Sequence, residues 1–250
     1  MLTSIRGIVA ASILATSGLA AVPAFAQETG DFTISGNAAI VTQYRFRGVG
    51  FSDGDPAIQG GIDVSHSSGF YVGTWGSSLE ECETCTFASP YGHTELDIYG
   101  GWSGEIASGI SADVGVLYYY YPNGWDAVDT DIIELYGSLG YSFGPVETTV
   151  GVAYAPDQDS LGSSDNLYIY GDVGVGIPNT PISLSGHLGY TDGALALPSD
   201  GNGLDWSIGA EFAATENLSI GVSYIGVESS GPSTDGFDDD AIVGTLSISF

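Results

Sequence analysis

From Phe32 onward, apolar and polar residues alternate with a period of two. Phe32, Ile34, Ala38 and Ile40 fall on one face of an extended segment, and Thr33, Ser35 and Asn37 on the other. That is the signature of a β-strand with one apolar and one polar face. The pattern recurs down the chain. Ile58, Ile62 and Val64 oppose Gln59 and Asp63; Leu96, Ile98 and Trp102 oppose Glu95 and Asp97; Val114, Val116 and Tyr118 oppose Ser111 and Asp113. Further along, Ile133, Leu135 and Leu139 oppose Glu134, Tyr136 and Ser138, and Val146, Val150 and Val152 oppose Glu147 and Thr149. Leu167, Ile169 and Val173 oppose Tyr168, Tyr170 and Asp172, while Leu184 and Leu188 oppose Ser185 and His187. The last repeats set Leu204, Trp206 and Ile208 against Asp205 and Glu211, Ile220 and Val222 against Ser219 and Ser223, and Leu246 and Ile248 against Thr245 and Ser247. In 69–78 the alternation leaves open whether Phe70 and Val72 or Tyr71 and Trp75 face outward. With that segment the pattern predicts about twelve strands of about ten residues, the length a tilted strand needs to cross a bilayer. Carried past Val41, it puts Thr42, Tyr44 and Phe46 on the apolar face and Gln43, Arg45 and Arg47 on the polar face.

The connections alternate too. Short turns are expected near 67–69, 105–109, 143–145, 177–181 and 214–217, and long acidic loops at 48–56, 79–93, 122–129, 156–165, 191–203 and 228–239. On the apolar face, Tyr44, Phe46, Tyr118, Tyr120, Tyr154, Tyr190 and Tyr224 sit at the long-loop ends, and Phe32, Trp102, Tyr141, Phe212 and Phe250 at the short-turn ends. Two aromatic girdles around an aliphatic band suit a bilayer; a soluble sandwich gives no reason for aromatics to cluster at both strand ends. The expected fold is all-β: a transmembrane antiparallel up-and-down β-barrel whose even strand count leaves both termini periplasmic, on the short-turn side. The terminal Phe250 resembles the sorting signal of outer-membrane proteins.

Residues 1–26 read as a cleaved secretory signal peptide: Arg6 in the n-region, the apolar run 8–21, and Ala24-Phe25-Ala26 as the cleavage site. The barrel is assigned to 27–250. Beyond the signal no stretch reaches about 18 uninterrupted apolar residues, so no transmembrane helix is expected. Composition then narrows the chemistry. Thirty-one Asp and Glu stand against 3 Lys and Arg, for a net charge of -28, and lysine is absent. Such a chain lacks the basic face a nucleic acid needs, any Walker-type phosphate loop and any Schiff-base lysine. A hydrophobic fraction of 43% separates it from acidic disordered chains, and 38 glycines suit strands and tight turns.

Three stretches resemble the TorF-like family of bacterial outer-membrane porins: Val41-Thr42-Gln43-Tyr44-Arg45-Phe46-Arg47-Gly48, Gly69-Phe70-Tyr71-Val72-Gly73-Thr74-Trp75-Gly76-Ser77, and Glu95-Leu96-Asp97-Ile98-Tyr99-Gly100-Gly101-Trp102-Ser103-Gly104. The resemblance covers residues 32 to 104 and implies a passive outer-membrane pore, without naming a solute.

If the polar face lines a lumen, Asp63, Glu95, Asp97, Asp113, Glu134, Glu147, Asp172, Asp205 and Glu211 point inward against Arg45 and Arg47. Carboxylates in a narrow pore concentrate cations and repel anions, so cation preference is expected. Arg45 and Arg47 would face acids across a constriction or pair with neighbouring carboxylates to hold the wall. Small inward residues, among them Ser35, Gly61, Gly115, Gly151, Gly174, Gly189, Gly209 and Gly221, suggest a water-filled path. The expected partners are outer-membrane lipids, lipopolysaccharide and small hydrophilic solutes, with no cofactor; oligomeric state is not legible. Cys82 and Cys85 read as a local disulfide in a loop, in preference to a metal site with His93, Glu80, Glu81 and Glu83. The acidic run from Asp157 to Gly162 partly resembles a calcium loop but has Leu161 and Tyr168 at ligand positions, so a solvated loop is expected. Two other readings compete: a non-conducting structural or adhesive surface barrel, and a lipid-modifying enzyme. The enzyme needs a lipid-facing Ser–His pair at the outer rim, which His66, His93 and His187 do not supply.

Overall fold

The computed structural model describes residues 27–80, 90–125, 127–230 and 232–250. It contains fifteen strands: β1 (Gln27–Thr29), β2 (Phe32–Val41), β3 (Arg45–Phe46), β4 (Val49–Gly50), β5 (Ala57–His66), β6 (Phe70–Ser78), β7 (Thr94–Ala107), β8 (Ile110–Tyr120), β9 (Ile132–Phe143), β10 (Val146–Gln158), β11 (Ser164–Gly176), β12 (Ile182–Gly193), β13 (Asn202–Ala213), β14 (Leu218–Val227) and β15 (Ala241–Ser249). β2 and β5 to β15 are the twelve staves. Each pairs antiparallel with its neighbour in sequence, and β15 pairs back onto β2. Closure removes the open edges that would invite aggregation. The described residues include no α-helix, only a 3-10 turn at Asp159–Leu161 between β10 and β11.

Side-chain alternation fixes the register, because a one-residue slip would turn every apolar residue inward. Each stave carries exposed aliphatics on its outer face, from Ile58 at 68% exposure through Val150 at 62% to Ile242 at 71%. An apolar surface running all the way round far exceeds the patches tolerated by a protein facing water, and matches hydrocarbon. The ambiguous segment is resolved: Phe70 and Val72 face outward, and Trp75 is buried inward. At the long-loop end, the outward Tyr118, Tyr154 and Tyr224 donate their hydroxyls to the carboxylates of Asp131, Asp165 and Asp240, at or just beyond the strand ends. Rings in the apolar layer with hydroxyls held at its margin are the geometry of an interfacial girdle. At the short-turn end Phe32, Tyr141, Phe212 and Phe250 are exposed, and the Trp102 indole donates to the Ser68 carbonyl at 2.9 Å.

Both ends of the described chain lie on the short-turn side. The closing seam is short, from Thr245↔Val41 to Ser249↔Asn37. Below it, Phe250 and Gly36 exchange two backbone hydrogen bonds of 2.7 and 2.9 Å, and β1 pairs with the start of β2. The hydrophobic core is the inward face at the long-loop end, where Tyr44, Trp75, Leu79, Leu117, Tyr119, Tyr121, Ile132 and Tyr168 are all buried.

Candidate functional site

The expected outward placement of Tyr44 and Phe46 does not hold. β2 stops at Val41, and the chain then folds inward over the mouth of the barrel as the small hairpin β3–β4. Its two-residue turn is Arg47-Gly48, with φ of 47° and 79°. Two positive φ values make this the mirror-image turn that matches strand twist and normally takes Asn-Gly. Arginine pays a steric cost there that glycine does not. The hairpin is packed tightly on its neighbours. A Cβ on Gly48 would lie 2.7 Å from the Gly226 carbonyl at the end of β14, and one on Gly50 would lie 1.9 Å from the Gly236 carbonyl in the loop before β15.

Two arginines anchor this hairpin, and they are the only basic residues after Arg6. Of the two arrangements expected, Arg45 shows the pairing with a nearby carboxylate that ties the wall together. Its guanidinium donates to the carbonyls of Gly48, Phe237 and Asp239 and to Asp239 Oδ1 at 2.6 Å, which stitches the first long loop to the last across the closing seam. Arg47 does cross the lumen. Its Nη2 donates to both oxygens of Glu134 at 2.9 and 2.8 Å, on a stave five places round the barrel from β2. Its guanidinium carbon lies 4.2 Å from the centre of the Tyr168 ring, a cation–π contact. Burial works against the charge on Arg47, but Glu134 and the nearby Tyr119 and Tyr168 outweigh it and hold the guanidinium pKa above its ordinary value.

Tyrosine hydroxyls carry the rest of the inner wall. Tyr44 and Tyr121 donate to Glu95, Tyr119 to Glu134, Tyr99 to Asp63, Tyr71 to Asp113 and Tyr168 to Asp205. Burial first, and Glu95 second, push the Tyr44 hydroxyl well above the ordinary tyrosine value, so it remains a donor. His187 sits between Asp172 at 2.6 Å and Asp205 at 3.0 Å. Several inward glycines, though not Gly174, are covered. Tyr99 lies opposite Gly73, Tyr71 opposite Gly101, Tyr136 opposite Gly115 and Tyr170 opposite Gly151. A Cβ on Gly115 or Gly151 would meet the facing ring or its hydroxyl at 2.4 or 2.2 Å. These glycines are recesses for rings laid flat on the wall, the inward counterpart of aromatic rescue.

The family model described as "Bacterial protein of unknown function (Gcw_chp)" matches residues 25–250. The chain belongs to the Gcw_chp family. No curated protein sequence matches it. Among solved structures, the Gcw_chp barrel is similar to the NanC porin, at a TM-score of 0.57 with 9% identity over 87% of this chain and 98% of that one. It is also similar to the KdgM porin, at 0.57 with 7% identity over 86% and 98%; KdgM is also known in complex with disordered oligogalacturonate. An outer-membrane channel from Pseudomonas putida F1 matches at 0.50, with 10% identity over 90% and 97%. At these identities the likeness shows the fold, a porin-like barrel.

The Gcw_chp barrel places the nominated residues unevenly. Glu95, Asp97, Asp113, Glu134, Asp205 and Glu211 are buried on the inner face. Asp63 is half-buried and Asp172 keeps 36% of its side chain exposed. Glu147 lies exposed at the short-turn mouth. Glu211 accepts from Ser219, which also meets Ser247. Gln158, in the calcium-like run, bonds the backbone of Ile133 and so extends the wall, and no group of three or more His, Cys, Asp or Glu able to hold a metal occurs among the described residues. Cys82 and Cys85 lie outside the described residues. His66 and Ser68 are hydrogen-bonded at 2.7 Å, but within a short turn where the Ser68 amide also caps the ring. The tyrosines and His187 were not nominated as site residues. Their signal was present, since Tyr136, Tyr168, Tyr170 and His187 occupy polar-face positions in the alternation.

Proposed function

We propose that the chain is an outer-membrane porin for passive diffusion of small hydrophilic solutes, through a narrow, acidic and cation-preferring lumen that the β3–β4 hairpin constricts. The observation that carries this is one closed wall with two chemistries: aliphatics on the outside of every stave, and carboxylates held by tyrosine hydroxyls inside. The TorF-like motifs in the first staves and the porin-like fold support the same reading. The twelve staves set a bore between an eight-stranded barrel filled by its own side chains and a wide sixteen-stranded channel, so the lumen side chains decide what passes.

The acid lining bears on solute class. KdgM, of similar fold, takes oligogalacturonate, a polyanion; the inward surplus of carboxylates here disfavours such a solute and favours cations or neutral molecules. With most of the 31 acids in the lumen and long loops, divalent cations would bridge those loops to lipopolysaccharide, which offsets like-charge repulsion. The sidedness follows the same logic, with long loops outside and short turns and both termini in the periplasm. The test is a planar bilayer under a potassium chloride gradient. A reversal potential of the sign for cation flow supports the reading, and anion selectivity overturns the charge assignment. One observation favours a second reading, the non-conducting surface barrel: the inward face at the long-loop end is as buried as a protein core. Absence of any conductance across a range of voltages would decide for it.

A further inference from the structure

We propose that the seat of the Arg47 guanidinium is a binding site for solutes that carry a guanidinium or primary ammonium group, which take it when the hairpin gives way. The site depends on the channel reading only for the solute's route; binding itself does not require conduction.

The barrel wall, not the hairpin, builds the seat. Glu134 on β9 offers both carboxylate oxygens and is 2% exposed, Tyr119 on β8 fixes it with a 2.8 Å hydrogen bond, and the Tyr168 ring on β11 forms one face. A carboxylate beside an aromatic face, out of water, is what a planar or compact organic cation recognises. The hairpin supplies only the present occupant. That occupant stands at a φ of 47°, a conformation suited to glycine, so the seat holds Arg47 in a turn that its own backbone preference resists.

The charge around the seat is unbalanced. Asp97 is 0% exposed, neither of its oxygens has a hydrogen-bond partner, and it lies within electrostatic reach of Glu95 and Glu134. Asp205 Oδ2 is likewise buried without a partner, as is Arg47 Nη1. A buried carboxyl without a partner is costly unless it keeps its proton or meets a cation, so Asp97 and Asp205 Oδ2 are polar atoms beside the seat that an added donor would satisfy. A narrow crevice between the hairpin and segment 194–201 is lined by Arg47 and Asp205 together with Leu195, Pro198 and Val227, so the seat borders the surface where the hairpin meets that segment.

The test empties the seat without disturbing the turn. Arg47→Gly suits the positive φ, and the full chain in detergent is checked for folding by its heat-modifiable gel migration. Isothermal titration with methylguanidinium chloride, and separately with methylammonium chloride, should show saturable binding to R47G. Binding should be at least tenfold weaker to R47G/E134Q, and competed away in the wild type by Arg47 itself. Sodium chloride at the same ionic strength serves as the blank. If R47G does not fold, Arg47→Ser takes its place. No saturable binding to the emptied seat, or equal binding with and without Glu134, overturns the proposal. Bilayer recording is run separately: a variant that binds methylguanidinium but never conducts would defeat the channel reading and leave this site standing.

Discussion

The two halves of the lumen are built from the same staves and the same alternation, yet they behave as different materials. Toward the long loops, the inward Leu117, Tyr119, Tyr121, Trp75 and Tyr168 are packed away from water. Toward the short turns, Asn37 and Glu147 are exposed and Asp63, Ser65 and Ser183 partly so, and the buried Glu211 and Ser219 there are polar residues held by each other. The difference comes from outside the staves, because a loop hairpin fills one half and, among the described residues, no hairpin enters the other. An inward position in a barrel is therefore core or pore wall according to what occupies the bore, which strand periodicity does not encode.

The sharpest way to break this contrast is to remove its cause. Replacing 45–50 with a Gly-Ser link should raise single-channel conductance severalfold and expose Tyr119 and Tyr168 to aqueous quenchers, making the long-loop half resemble the other. Unchanged conductance would place the constriction elsewhere. The next effect separates the two arginines. Glu134→Gln leaves a buried guanidinium without its counter-charge, a loss of about 3–5 kcal/mol. Arg45→Gln gives up bonds to Asp239, whose side chain is 26% exposed, and to carbonyls near the surface, for about 1–3 kcal/mol. The midpoint of heat-modified gel migration should rank them in that order. The double variant R47Q/E134Q should recover much of the loss of E134Q alone, because two neutral partners replace an orphaned ion.

Most of the fold was legible because bilayer and lumen impose opposite chemistries on successive residues. Ile62/Asp63 and Leu135/Glu134 carry that opposition without help from tertiary context. Inward acids such as Asp97 and Asp113 followed directly. The hairpin did not, because Thr42 to Phe46 continues the alternation of β2 with aromatics that suit a girdle equally well. What holds the chain inward after Val41 is the hairpin turn at Arg47-Gly48 and a set of partners, Glu95, Glu134 and Asp239, that lie far away in sequence. Some inward glycines, Gly115 and Gly151 among them, are covered for a related reason. A glycine looks like empty bore until the residue across the strand pair proves to be a tyrosine.

That pairing predicts a smaller effect, confined to the wall. Gly151→Ala drives a methyl group into the Tyr170 ring and should cost about 1–3 kcal/mol, whereas Gly174→Ala, with no atom within 4 Å of its new Cβ, should be close to neutral. Equal stability of the two by thermal gel shift would mean that Tyr170 moves aside freely, and the ring-in-recess account would fail.

The smallest effect tests the open half alone. Neutralising Asp63, half-buried in the wall, should move the reversal potential toward zero even in concentrated salt, because low-dielectric surroundings shield the field poorly. Neutralising Glu147, exposed at the short-turn mouth, should move it less, since about 0.1 M salt screens such a charge over about 10 Å. The Glu147→Gln shift should grow as salt falls to about 0.01 M, where the screening length reaches about 30 Å, while the Asp63→Asn shift changes little. If both variants follow the same salt dependence, ions are selected at the mouth by surface charge. In that case the wall carboxylates serve to fasten tyrosines, and the division between a dry half and a selective half dissolves.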